Sequence, residues 1–342
     1  MIARWKALLT LSGLLLPLGV SAQTAWDADE LFEFDDAPLE QPLEHPGWFK
    51  ESFLDLPDDI AEADTAGKRG IIVYFGQKRC AYCKRLMAVN FGQPDIVAYT
   101  RRHFDVVPID IWSTEEMTDA GGQSLTAREF ALRENTNFTP SLIFYDTSGR
   151  EALRLRGYYP PYKFRAALEF VADGHFRSES FGAYLERAEG SLAFEPDELN
   201  EETFFSPPPF ALDRSRIPGE GPLAVFFERG DCHACDVLHA SPLQEGVIID
   251  LFRKFDSIQL DVRSPSPVIT PAGNRTTARE WARSLGLFYT PSIIFFDERG
   301  REILRVDSVV QFYRLRNVLN YIISGGYHSE PSYQRWRVNS RF

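Results

Sequence analysis

The chain has 342 residues, 44% apolar and 25% charged, enough for two domains with separate cores. Asp and Glu number 49 against 37 Lys and Arg. That acidic balance argues against a nucleic-acid footprint and against docking on an anionic membrane surface.

The N-terminus reads as a signal peptide over residues 1–22. Arg4 and Lys6 supply the basic start, Ala7 to Val20 the short apolar run, and "GVSAQ" a cleavage site after Ala22. The run is too short to span a bilayer comfortably, so no membrane insertion is expected after cleavage. Removing Arg4 and Lys6 leaves a net charge of −14. Export implies a periplasmic, oxidising setting, where cysteine pairs persist as disulfides. Residues 23–48 form an acidic lead-in with eight acids and no Lys or Arg, expected to be flexible or ordered on contact.

Two similar units follow, at 49–190 and 222–326, with a Pro-rich linker at 191–221 and a tail at 327–342. "TAREFALRENTNFTPSLIFYDTSGREALRLR" (126–156) and "TAREWARSLGLFYTPSIIFFDERGREILRVD" (277–307) are identical at 16 of 31 positions, at an offset of 151. The cysteine pairs match at 152. Each unit opens with a short apolar run, "IIVYF" or "LAVFF", predicted as a buried strand. A Cys-x-x-Cys and a helix come next, then a second strand, "FDVVPID" or "FDSIQLD". Thr-Ala-Arg-Glu at 126 and 277 predicts a capped helix start. Asp-x-x-Gly joins two further strands as a hairpin, and a helix closes the unit. This order predicts an α/β fold with a mixed central sheet flanked by helices, built twice in tandem.

The four cysteines are Cys80, Cys83, Cys232 and Cys235. A haem tether needs a histidine after the second cysteine, where Lys84 and Asp236 stand. Zinc needs four ligands, and the pairs lie in separate units. A structural staple remains open, although it would close a very small loop and stabilise little. A redox dithiol fits the position between strand and helix, where the helix start favours a thiolate. Thr139-Pro140 and Thr290-Pro291 each precede a strand, which suits a cis-proline loop beside each dithiol.

Together these motifs resemble the thioredoxin fold. "CAYCKRL", "FTPSLIFYDTSGRE" and "GYYPPYKFRAAL" are similar to secreted bacterial thioredoxin-like proteins of the SoxW type. The resemblance implies a thiol:disulfide oxidoreductase in which Cys80 and Cys232 attack and Cys83 and Cys235 resolve. Thr139–Pro140 and Thr290–Pro291 would line the substrate grooves. It implies protein thiols and disulfides as partners, with a membrane electron donor or acceptor as a further class, and no cofactor or metal. Tyr74 and Phe226 stand where thioredoxin carries a buried Asp, which leaves deprotonation of the resolving thiol unexplained.

The two motifs differ in charge. Residues 76–87 carry +4 and residues 228–239 carry −2, so Cys80 is expected to ionise more readily than Cys232. The alternative to an enzyme is a non-catalytic thioredoxin-fold binding or assembly module with resting disulfides.

Overall fold

The computed structural model describes residues 31–188 and 198–340, so the expected signal peptide lies outside the described residues. The first domain runs α1 (Leu56–Thr65), β1 (Gly70–Gly76), α2 (Ala81–Arg85), α3 (Pro94–His103) and β2 (Phe104–Asp110). A small ribbon, β3 (Glu116–Thr118) and β4 (Ser124–Thr126), leads into α4 (Ala127–Arg133). The domain continues with β5 (Ser141–Asp146), β6 (Glu151–Arg156), α5 (Pro161–Ala172) and α6 (Phe181–Ala188).

The second domain repeats this plan. β7 (Phe210–Ala211) precedes β8 (Leu223–Glu228), α7 (His233–Ala240), α8 (Gly246–Phe252) and β9 (Asp256–Asp261). The ribbon β10 (Pro267–Ile269) and β11 (Arg275–Thr277) leads into α9 (Ala278–Ser284). Then come β12 (Ser292–Phe296), β13 (Glu302–Val306) and α10 (Phe312–Ile323). Two short helices, α11 (Gly326–Ser329) and α12 (Tyr333–Asn339), end the described chain.

Both main sheets have the mixed arrangement expected from the element order. The strand order is β2-β1-β5-β6 in the first and β9-β8-β12-β13 in the second, with only the β1–β2 and β8–β9 pairs parallel. β1 is buried along its whole length because both faces of the sheet are covered. Ile71, Val73 and Phe75 enter one core, while Ile72 and Tyr74 enter the other. The predicted Thr126 cap is present as a reciprocal box, with Thr126 accepting from Glu129 N and Glu129 from Thr126 N. The ribbons lie between the second strand and the capped helix of each unit, where the sequence predicts neither strand nor helix. β7, in the Pro-rich stretch, pairs with β10.

The domains pack through matched segments at the repeat offset. Val309 N donates to Tyr158 O at 3.1 Å. A Cβ on Gly157 (φ +106°) would come within 2.0 Å of Ser308 Oγ, so the close approach requires glycine there. Phe138, before the first Thr-Pro, belongs to the second domain's core, and its counterpart Tyr289 belongs to the first domain's. Arg314 on α10 donates to Thr139 O, and its counterpart Lys163 on α5 donates to Phe288 O. α12 is the repeat of α6. Tyr333 N and Gln334 Nε2 bind Asn137, and Phe181 packs on Phe288. The contacts are therefore reciprocal, like those of an isologous dimer within one chain.

Candidate functional site: two disulfides beside two cis-prolines

Each cysteine pair lies where its unit turns from strand to helix. Cys80 caps α2 and Cys232 caps α7. Cys80 Sγ accepts from Cys83 N at 3.0 Å, and Cys232 Sγ from Cys235 N at 3.1 Å. A helix start favours negative charge on the capping sulfur, which is the first requirement of an attacking thiol. Both pairs are disulfide-bonded, Cys80 to Cys83 and Cys232 to Cys235, each with a Cα–Cα distance of 5.1 Å. Cys83 and Cys235 are fully buried, while 5% of Cys80 and 4% of Cys232 reaches solvent.

Thr139-Pro140 and Thr290-Pro291 are both cis. Cys80 Sγ lies 3.3 Å from Thr139 Oγ1, and Cys232 Sγ lies 3.4 Å from Thr290 Oγ1. In each domain the fold thus brings the sequence-predicted dithiol and Thr-Pro together.

The surroundings of the two sites differ. The first is covered by the protein's own chain. Arg314, buried, donates Nη2 to Thr139 O at 2.8 Å and stacks 3.3 Å from the Tyr82 ring centroid. Tyr82, between the two cysteines, donates its hydroxyl to Asp36 and receives Gln311 N, both at 2.8 Å. Asp36 also accepts from Tyr313 N and Arg314 N at 2.8 Å, so the lead-in caps the N-terminus of α10. Gln77, bonded to Thr139 Oγ1, is held by Gln334 and Arg337 of α12. Thr139 is only 1% exposed.

The second site keeps an open side. Thr290 is partly exposed and His233, between the cysteines, is exposed. Among the described residues, Phe32 of the lead-in meets the His233 ring at 5.5 Å. Ala234 and Val237 of α7 pack against the first domain's core cluster, which contains Cys80 and Cys83.

The charged groups of the two motifs meet different neighbours in space. The basic collar of the first motif faces the acidic lead-in. Leu39 and Leu43 donate to the carbonyls of Arg79 and Lys78, and Arg79 Nη2 reaches Glu40 O. The acids of the second motif are consumed locally. Asp231 pairs with Arg229 and Arg263, Asp236 accepts from Asn200, and Glu228 is fully buried. Both motifs are thus contacted by residues distant in the chain, and the expected easier ionisation of Cys80 stands as a prediction for thiol titration.

Glu228 and His239 were missed from the sequence as site residues. Glu228 ends β8 and contacts His239 Nε2 at 3.1 Å, while His239 Nδ1 lies 2.9 Å from Glu202. Burial alone would lower the His239 pKa, but the two carboxylates outweigh it and raise the value above the ordinary 6.5. His239 is four residues past Cys235 on α7, so the pair lies one turn from the resolving cysteine. The only legible signal was the shared parity of Phe226 and Glu228 along β8. In the first domain Gly76 and Met87 occupy the corresponding places, and burial raises the Tyr74 phenol pKa, leaving it protonated and no base for Cys83.

A thioredoxin-like domain family matches residues 56–172 and 211–323, more than half of the sequence. The chain belongs to the thioredoxin-like domain family, twice over. At the level of that family, two domains with bonded Cys-x-x-Cys pairs are the equipment of a thiol–disulfide oxidoreductase. None of the curated proteins matches. Among solved structures, the chain is similar to a thioredoxin-fold protein from Helicobacter pylori at 22% identity, over 42% of this chain and 92% of that one, with TM-score 0.34. It is similar to a thioredoxin from Thermus thermophilus at 24% identity, over 34% and 83%, with TM-score 0.28. The first two thioredoxin domains of Saccharomyces cerevisiae Eps1p align at 11% identity over 81% and 99%, with TM-score 0.24.

Proposed function

We propose that the protein is a periplasmic thiol:disulfide oxidoreductase of the secreted SoxW-like kind, with the second dithiol facing its protein substrates. The observation that carries this is the placement of each bonded pair at a helix start against a cis-proline threonine. In the reducing direction, the Cys232 thiolate attacks one sulfur of a partner disulfide. The other partner sulfur leaves as a thiolate and takes up a proton. Cys235, as thiolate, then attacks Cys232 Sγ, forming the Cys232–Cys235 disulfide and releasing the second partner thiol. The reverse sequence oxidises a partner dithiol. A membrane dithiol is the class of donor that would restore the reduced pair.

The covered first site favours an internal role for Cys80 and Cys83. They exchange with the second pair, or rest as a disulfide until the lead-in moves. Insulin reduction by the wild type, C80S and C232S separates these roles. C232S should lose at least tenfold in rate and C80S much less. Loss confined to C80S would reverse the assignment. Absence of turnover in the wild type would favour a binding module.

A further inference from the structure

A cavity of about 1050 Å³ lies beside the first dithiol, where both domains and the lead-in meet. The turn between β1 and α2 supplies Lys78 and Arg79, α10 supplies Arg316, and α12 supplies Arg337. These four cations face one lining acid, Asp110, whose Oδ1 accepts from Trp112 N at 3.0 Å. Their polar contacts are neutral. Arg79 Nη2 donates to Glu40 O at 3.1 Å, Arg337 Nη2 donates to Gln77 Oε1 at 3.2 Å, and Arg316 lies over the Phe312 and Tyr313 rings. Among the described residues no ion pair neutralises any of the four, and the buried Arg337 Nε has no acceptor. This positive charge is concentrated in a chain with 49 acids and 37 Lys and Arg. Gln77 ties the cavity to the dithiol. Its Oε1 also accepts from Trp112 Nε1 at 3.1 Å, and its Nε2 donates at 2.7 Å to Thr139 Oγ1, the atom 3.3 Å from Cys80 Sγ.

We propose that this cavity binds a small polyvalent anion, with two or more carboxylate or phosphate groups, which clamps α10 and α12 onto the first domain. Like charges on three separate elements repel one another until an anion bridges them. Guanidinium groups suit such a ligand, since each can take two oxygens of a carboxylate or a phosphate. The volume is at the upper end for small-ligand sites, with room for the anion and its water. Arg314, which covers the first proline loop, lies two residues from Arg316 on α10, so an anion held by Arg316 and Arg337 keeps that cover in place. The site needs no exchange chemistry and stands independently of the oxidoreductase reading.

The test uses the full chain, with thermal melting and titration calorimetry in citrate, inorganic pyrophosphate or acetate at matched ionic strength. Citrate or pyrophosphate at about 5 mM should raise the Tm by roughly 2 °C or more, while acetate leaves it in place. A shift with either one supports the site, and the tighter of the two identifies its charged group as carboxylate or phosphate. K78Q/R316Q removes two side chains that make no hydrogen bond or ion pair among the described residues, and it should weaken binding at least tenfold. R79Q, on the first domain's wall, should weaken it severalfold. In the reduced protein, the saturating anion should slow iodoacetamide labelling of Cys80 severalfold and leave Cys232 unchanged. Equal Tm values in all three anions, or an affinity unmoved by both variants, overturns the site. A Cys80 rate indifferent to bound anion overturns the clamp. Failure of the wild type to reduce insulin bears on the oxidoreductase reading alone.

Discussion

The two halves of this molecule share a fold, a bonded Cys-x-x-Cys and a cis-proline loop, yet one site is covered and the other is open at one side. Thr139 is buried under Arg314, while Thr290 is partly exposed. The reciprocal packing of the domains does not explain this, since Lys163 reaches the second loop much as Arg314 reaches the first. The asymmetry comes from the unrepeated lead-in. Asp36 holds both Tyr82 and the start of α10, fixing Arg314 above the first loop. A duplicated pair can thus acquire unequal sites without changing either motif, when one added segment satisfies polar groups on only one side.

Removing Arg314 should break this comparison most severely. R314A deletes a charge-assisted hydrogen bond and a ring stack, at a cost of about 2–4 kcal/mol by chemical denaturation. In the reduced protein, iodoacetamide should then label Cys80 at least tenfold faster while the Cys232 rate stays put. An unchanged Cys80 rate would mean that Arg314 does not cover the site.

His239 sharpens the comparison through pH. Its raised pKa means that the folded second domain holds the proton more tightly than the unfolded chain. The stabilisation is complete below about pH 6.5 and is lost as pH rises through the folded value. The Tm of the wild type should therefore fall as pH rises above about 6.5, and H239Q should flatten that dependence. A Tm profile identical in wild type and H239Q would remove the buried pair from the account.

The smallest effect concerns the helix caps. T126A breaks a reciprocal box and should cost about 1 kcal/mol, whereas T277A breaks a one-way cap and should cost roughly half as much. Equal losses in denaturant titrations would show that the returning Glu129 bond adds nothing.

Much of the fold was legible because it rests on local patterns. The strands of both sheets followed from apolar runs, the helix start at Thr126 from its capping box, and the hairpins from Asp146 and Gly149 with their repeats. The pairing of Cys80 with Thr139 and of Cys232 with Thr290 also came from spacing read twice. The ribbons in the loops escaped notice, since three-residue strands carry little periodicity.

By itself the sequence determined two thioredoxin-like units, their dithiols and their proline loops. These depend on strand periodicity, turn chemistry and motifs close together in the chain. Only the tertiary structure decided which proline loop is covered by the protein's own chain. Asp36 reaches Arg314 across 278 residues, and Arg263 neutralises Asp231 across 32, so the charge around each sulfur is set by neighbours in space. Over such separations, counting charges in a window reports composition, whereas the field at a thiol depends on distance and burial.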